Sequence, residues 1–333
     1  MRKASPAIGQ PALRYLDAWL APLAPVLARG DVTDIFINRP GEIWIETVGG
    51  SMERQAMAEL DEARLWQLAR QLASLTHQGI SREHPLLAAT LPDGARVQVV
   101  APPAARGGMA MAIRKHIVPE WSLGDYLAGG AFDAVDLDSG TREQRLAMPV
   151  GAAPAQLARF LGQMVRDRRN ILISGGTSSG KTTFLNALLR EMPQEERLIL
   201  IEDTAELCVP HDNCVGLLAT KGDMGEARVA TDDLLQAALR MRPDRIILGE
   251  LRGSEAYTFL RAVNTGHPGS VTTIHADTPE GAIEQLALIV LQAGTQLRRE
   301  DIVHYVRRVV DCIVQLERRG GHRHVARIML TRP

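Results

Sequence analysis

Cysteine is scarce: the 333 residues include only Cys208, Cys214 and Cys312. An odd number at wide spacing excludes a disulfide framework and offers no Cys-x-x-Cys metal pair. Buried thiols in a reducing compartment are the expectation. Aromatic residues make up only 4% of the chain, which leaves few rings to stack on bases. An excess of one charge is also missing. The 38 Lys and Arg against 39 Asp and Glu leave a net charge of −1, so no global basic field attracts nucleic acid. No apolar run approaches the roughly 18 residues of a membrane span, and the longest, LALIVL over Leu286–Leu291, suits a short core segment. The opening MRK does not lead into the apolar stretch of a secretory leader, because Asp17, Pro22 and Pro25 interrupt it. These absences predict a cytoplasmic protein with no direct nucleic-acid binding.

What is present is a composition ordinary for a globular chain, 45% hydrophobic and 23% charged, with length enough for two domains with full cores. Leu13, Leu16, Leu20, Leu23 and Leu27 mark one helix face, split or kinked by Pro22 and Pro25. DIFINRPGEIWIE alternates on both sides of Pro40-Gly41, which predicts a hairpin closed by a type II turn. Asp61 can cap a helix bearing Leu65, Leu68, Leu72 and Leu75. RVQVV (Arg96–Val100) and MAMAI (Met109–Ile113) read as strands. An α+β domain over 1–116 follows. The stretch 117–150 is rich in Gly, Asp and Ser with weak periodicity and reads as a linker carrying one short helix.

From 151 to 333 strands and helices alternate. Strands are expected at ILIS, Arg197–Glu202, Arg245–Glu250 and Ser270–His275, with helices at Gln156–Arg168, Lys181–Arg190, Thr231–Met241, Ser254–Val263 and from about Pro279. This alternation predicts an α/β domain, a mostly parallel sheet with helices on both faces. Ligands of such sheets lie beyond the carboxyl ends of the strands.

One of those ends is unusual. Gly175, Gly176, Thr177, Ser178, Ser179, Gly180, Lys181 and Thr182 satisfy GxxxxGK[ST] between a strand and a helix, the context that marks a P-loop. Small residues let backbone N–H groups wrap phosphates, and the helix dipole adds attraction. Lys181 can reach the β- and γ-phosphates, and Thr182 can ligate Mg²⁺; Thr183 extends the set. The ligands expected are ATP and Mg²⁺. Glu202 and Asp203 end the next strand, where they can hold Mg²⁺ through water or orient the attacking water. Glu250 ends RIILGE, and its length suits a general base acting on a water beyond the γ-phosphate. His267 and His275 flank the next Gly/Pro loop and strand, at a spacing that makes no zinc site. Both are expected near the phosphate loop, sensing γ-phosphate or coupling loops. Arg240, Arg242 and Arg252 surround the Glu250 strand, and Arg96 and Arg114 lie on the N-terminal strands.

Together GGTSSGKTT, ERLILIEDTAELCVPHDN, LRMRPDRIILGELRGSEAYTFLRAVNTGHPGSVTTIHAD and VTDIFINRPGEIWIE resemble the hexameric secretion ATPases of bacterial type IV secretion systems. The resemblance runs from about residue 30 to the C-terminus. It implies a RecA-like ATPase domain preceded by a smaller α+β domain, with nucleotide between them. It also implies a homohexameric ring at the inner face of the cytoplasmic membrane, working with other secretion-system ATPases and inner-membrane components. Residue by residue, it implies phosphate and Mg²⁺ ligation by Lys181 and Thr182, acidic roles for Glu202 and Glu250, and a His box at His267 and His275. Arg96 and Arg114 match arginines that approach the phosphates. Arg240 resembles one tied to the active site or subunit interface. Ser178 stands where the family has Gly, so this residue must either avoid positive φ or carry strain. Three rivals differ in class: a type II secretion or type IV pilus motor, a RecA-like nucleic-acid translocase, and a nucleotide-binding scaffold without turnover. The first usually carries a four-cysteine metal site that this chain lacks.

Overall fold

The computed structural model describes residues 10–48, 50–76, 78–115, 121–139, 152–219, 229–319 and 322–331. These fall into two compact units, 10–115 and 121–331. In the first, helix α1 (Gln10–Leu20) passes through a 3₁₀ turn (Ala21–Leu23) into α2 (Ala24–Leu27), with a proline in the first turn of each new piece. Proline lacks the N–H an inner helical turn needs, so the apolar stripe is broken where the sequence predicts. Strands β1 (Val32–Ile37) and β2 (Glu42–Thr47) form the expected hairpin, and Gly41 takes φ +87°, the left-handed value that the third residue of a type II turn requires. β3 (Met52–Ala56) continues the meander. Asp61 caps α3 (Glu62–Leu75), its carboxylate accepting from the Arg64 amide at 2.7 Å. β4 (Leu86–Thr90), β5 (Arg96–Val100) and β6 (Ala110–Arg114) complete an antiparallel sheet of order β3-β2-β1-β6-β5-β4. Its inner face, including Ile35, Ile37, Ile43, Ile45, Val97 and Val99, buries the Leu65–Leu68–Leu72 stripe of α3.

All five residues of the outermost strand β3 are exposed. Arg29 pairs with Glu53 at 2.9 Å, and Arg54 pairs with Glu42 while lying over the Trp44 ring. Arg39 and Arg54 together hold the Glu42 carboxyl down at about 2.

The second unit begins earlier than the sequence suggests. Part of the expected linker carries α4 (Leu123–Ala128) and β7 (Asp136–Ser139), the latter paired to the last strand of the chain. Ser122 and Asp125 cap α4 reciprocally, and Leu123, Tyr126 and Phe132 enter the core. The rest of the expected linker, 116–120 and 140–151, lies outside the described residues. Next come α5 (Pro154–Arg166), β8 (Ile171–Gly175), α6 (Lys181–Leu189), β9 (Leu198–Glu202) and β10 (Cys214–Leu218). α7 (Thr231–Leu239), β11 (Arg245–Leu248), α8 (Glu255–Asn264) and β12 (Val271–Ile274) follow. α9 (Pro279–Gln292), α10 (Arg299–Val309) and the hairpin β13 (Cys312–Arg319) and β14 (His322–Leu330) end the unit.

The sheet runs β10-β9-β11-β12-β8-β13-β14-β7. From β10 to β13 every neighbour is parallel, and only β13–β14 is antiparallel. The central strands are buried along their whole length because helices cover both faces. Ile171, Ile173, Leu198 and Leu200 pack on one side with Leu161 and Leu188, while Leu172, Ile199 and Ile201 pack on the other with Phe259 and Leu286.

The amino edge of this sheet is tied by charge. Arg245, the first residue of β11, is fully buried and ion-paired with Glu196. It also donates to the carbonyls of Val165 (2.6 Å) and Gly269 (3.2 Å), and Arg168 adds a 2.9 Å bond to Glu196. Removing one member of a buried pair strands the other charge, at a cost of about 3–5 kcal/mol. Arg245→Met is therefore expected to lower the stability of the second unit by that amount in urea unfolding; an unchanged midpoint would show the pair to be idle.

Candidate functional site

In a parallel sheet, the residues that follow each strand gather at one edge. The register aligns Gly175 with Leu316, Glu202 with Leu218, Leu248 with Ile201 and Ile274 with Ser174. The phosphate-type loop, the Glu202–Asp203 pair, Glu250 and His275 thus converge at the carboxyl edge. The loop is shaped by its small residues. A Cβ on Gly175 would overlap Ser179 Oγ and lie 2.9 Å from the Leu316 carbonyl. Gly180 takes φ +92° as it opens α6, and Ser178 takes φ +60°. The first amides of α6, from Lys181 on, have no intrahelical acceptor and face outward with the positive end of the helix dipole.

Lys181 is the centre of the site. It is 9% exposed, and its ammonium donates to the carbonyls of Gly175 (2.8 Å) and Gly176 (3.0 Å) and to His275 Nδ1 (3.2 Å). Burial pushes the ammonium below the ordinary lysine value; the charge of Glu250 opposes the shift and that of Arg252 adds to it. Because Nδ1 accepts from an ammonium, the His275 proton belongs on Nε2, which lies 2.9 Å from Glu250 Oε1. Burial also lowers the His275 pKa, against Glu250 and with Lys181 and Arg252, so the ring stays neutral. Arg252 closes the series with an ion pair to Glu250 and a 3.6 Å approach to Asp203.

Three further polar groups, which the sequence reading missed, fix this edge. Ser174 and Gln315 both donate to the Ala276 carbonyl at 3.2 Å, beside His275, and Thr273 donates to the Gly249 carbonyl at 2.8 Å, beside Glu250. Their signal was available: polar residues on otherwise apolar, buried strands. Glu202 is buried, and one oxygen accepts the amides of Glu206 and Leu207, both at 2.8 Å. Asp203 accepts from the Thr231 hydroxyl at 3.3 Å.

The structure does not bring every expected residue here. His267 stands four residues before β12, at the amino edge, where its Nδ1 meets the Pro243 carbonyl at 3.1 Å. The expectation that it neighbours the phosphate loop is corrected: it precedes a strand that His275 follows. Arg240 ends α7 just before β11 and lies at the same amino edge. Arg96 and Arg114 belong to the first unit, as direct cross-strand partners, and Arg114 pairs with Asp34 at 2.8 Å.

The donor set suits a nucleotide with its metal. Among the described residues, no three or more His, Cys, Asp or Glu side chains converge as a metal cage. A hydroxyl, carboxylates and phosphate oxygens sharing the ion is the pattern Mg²⁺ favours. The strain at Ser178 is testable. A side chain at positive φ costs roughly 1–2 kcal/mol, and more when β-branched. Ser178→Gly is expected to leave thermal stability equal or raised, while Ser178→Val lowers it by about 1–2 kcal/mol or more; equal melting of the two would exclude strain there.

Residues 18–319 match the family model described as type II/IV secretion system protein. The chain is 39% identical over 324 residues to the type IV secretion system protein VirB11 of Bartonella henselae, covering 93% of this chain and 91% of that protein. It is 39% identical over 316 residues to PtlH of Bordetella pertussis, covering 92% and 91%. Among solved structures, the VirB11 ATPase of Brucella suis aligns over 97% of both chains with 36% identity and a TM-score of 0.51. The pilus retraction motor PilT, at 19% identity and a TM-score of 0.59, shares the fold, a RecA-like domain preceded by a smaller N-terminal one. With a phosphate loop, strand-end acids and a match across nearly its whole length, this chain belongs to the type II/IV secretion system protein family, among its type IV secretion ATPases.

Proposed function

We propose that this chain is the motor subunit of a type IV secretion system, hydrolysing ATP with Mg²⁺ as a ring of six identical copies in the cytoplasm at the inner membrane, alongside other secretion-system ATPases and inner-membrane components. One observation carries the reading: Lys181, His275, Glu250 and Arg252 follow one another at close approach at the mouth of the GxxxxGK[ST] loop, with His275 Nε2 2.9 Å from Glu250 Oε1. It links the cation that meets phosphate to the carboxylate suited to act on water. Identity to VirB11 and PtlH over more than nine-tenths of the chain supports the same role.

The residues act as follows. Lys181 gives its ammonium protons to phosphate oxygens in place of the loop carbonyls and His275 Nδ1, which costs little because it is already held at that edge. The amides from Gly175 to Thr183 orient the phosphates. Thr182, Glu202 and Asp203 are the groups suited to hold Mg²⁺, directly or through water; when bound, the ion neutralises phosphate charge. His275, released from Lys181, is then free to turn its Nε2 relative to Glu250 Oε1, 2.9 Å away, and this links occupancy of the loop to the placement of the base. Glu250 then accepts a proton from the attacking water. Within the first unit, Arg96 and Arg114 are neighbouring cations of a kind suited to polyphosphate, and Arg240 and His267 are assigned to contacts made by the amino edge.

Hydrolysis by wild type, Lys181→Ala and Glu250→Gln, with oligomer mass measured on the same samples, tests this reading. Glu250→Gln is expected to bind ATP yet lose about 10²–10⁴ in rate, and Lys181→Ala to lose binding and turnover together. Normal turnover by Glu250→Gln would move the nucleotide-binding scaffold to the front. A second test is pH. The folded His275 pKa lies below its ordinary 6.5. Its neutral form is therefore favoured by folding, and the stabilisation holds above 6.5 and fades as pH falls through the lower folded value. Hydrolysis should persist through pH 6.5 and fall only below it. His275→Gln should remove that acidic limb, and an unshifted limb would assign it to another group.

A further inference from the structure

The hairpin β13–β14 overshoots the carboxyl edge. Leu316 pairs with Gly175, where the phosphate loop begins, and beyond it the two strands continue through Glu317–His324, Arg318–Arg323 and Arg319–His322. The overshoot brings Arg323 against the loop itself. A Cβ on Gly180 would lie 2.7 Å from Arg323 Cδ and 3.2 Å from its Nε. The arm of this arginine thus covers the glycine that opens α6 and carries a guanidinium to the rim of the loop.

We propose that Arg323 is a nucleotide-binding residue whose guanidinium engages the phosphate chain held by the Gly175–Thr183 loop. The proposal rests on the ATP-binding reading above and adds to it a contact from the last strand. Three observations support it. First, Arg323 is well anchored. Two residues on, Val325 is buried and donates to the Ala131 carbonyl at 2.9 Å, fastening β14 to the segment after α4. Second, its charge is unmatched. Its direct cross-strand partner is Arg318, a like charge, and among the described residues no carboxylate forms an ion pair with it. A cation without a carboxylate beside a loop built for anions is a charge that phosphate would match. Third, Tyr126 stands at the same flank. It packs edge-on against Phe184 of α6 at 5.1 Å, and the charge of Arg323 acts on its hydroxyl. That hydroxyl is buried with no hydrogen-bond partner among the described residues, so this flank also holds an unused donor. A planar guanidinium fork matches phosphate oxygens two at a time, which an ammonium cannot do.

The test measures equilibrium binding of ATP and of inorganic tripolyphosphate to the full-length wild type, Arg323→Ala, Arg323→Lys and Lys181→Ala, with thermal melting as a check on folding. Arg323 is half-buried, so melting of each variant separates a loss of folding from a loss of binding. Arg323→Ala is expected to weaken both ligands by about tenfold or more, with Arg323→Lys recovering part of the loss. Equal binding by Arg323→Ala and wild type would overturn the proposal. So would a loss confined to ATP, which would assign the arginine to the sugar or base. If wild type binds neither ligand, the ATP reading fails and the proposal with it. If wild type binds and Lys181→Ala does not, the ATP reading stands whatever Arg323 does.

Discussion

The second unit depends on an ammonium that is buried without a carboxylate against it. The three protons of Lys181 go to two loop carbonyls and an imidazole, and Glu250, the acid whose charge acts on it, lies one residue further along the series. A charge withdrawn from water and hydrogen-bonded only to neutral groups is costly to keep, and burial lowers its pKa against the pull of Glu250. The fold sustains it because the loop carbonyls are fixed by the end of a fully buried strand and the imidazole by the end of its neighbour. An arriving anion relieves the cost by taking over hydrogen bonds that the loop carbonyls and His275 now hold, and a cation already fixed at that edge is what an electrostatic catalyst needs.

The two edges of the sheet divide the work. At the amino edge, Arg245, Glu196 and Arg168 bind together the starts of strands that are distant in sequence, and Asp311 accepts the Asn170 amide at 2.8 Å to tie β13 to β8. At the carboxyl edge the polar groups hold less and act more. Register passes from one edge to the other along four- and five-residue strands, so small displacements at the ties would reach the chemistry.

This division explains which parts of the molecule were legible in the sequence. ILISGG, RLILIE, RIILGE and SVTTIH each read as an apolar strand ending in a functional group, and parallel packing puts such groups together without further information. His267 and His275 look like one box, but a strand lies between them, and four residues at about 3.3 Å each separate them by the depth of the sheet. The β13–β14 hairpin carries ERR and HRH at its tip, so charge masks the alternation of its inner residues. β7 and α4 hide in a stretch rich in Gly, Asp and Ser; β7 is a strand only because β14 offers an edge to pair with. Arg323 was illegible for the same reason as the hairpin that delivers it, since its meaning lies in a register no local pattern states.

The outer strand β3 has a different consequence. An open sheet edge offers unpaired amides and carbonyls to any extended chain, and flat apolar edges seed aggregates. Met52–Ala56 is wholly exposed, yet its middle carries Glu53 and Arg54, each engaged with the opposite charge on neighbouring strands or loops. A stranger's strand docking there would have to break both pairs and bury their charges. The edge is thereby closed to templated growth, and a chain that must coexist with many copies of itself is kept from joining them as an endless ribbon.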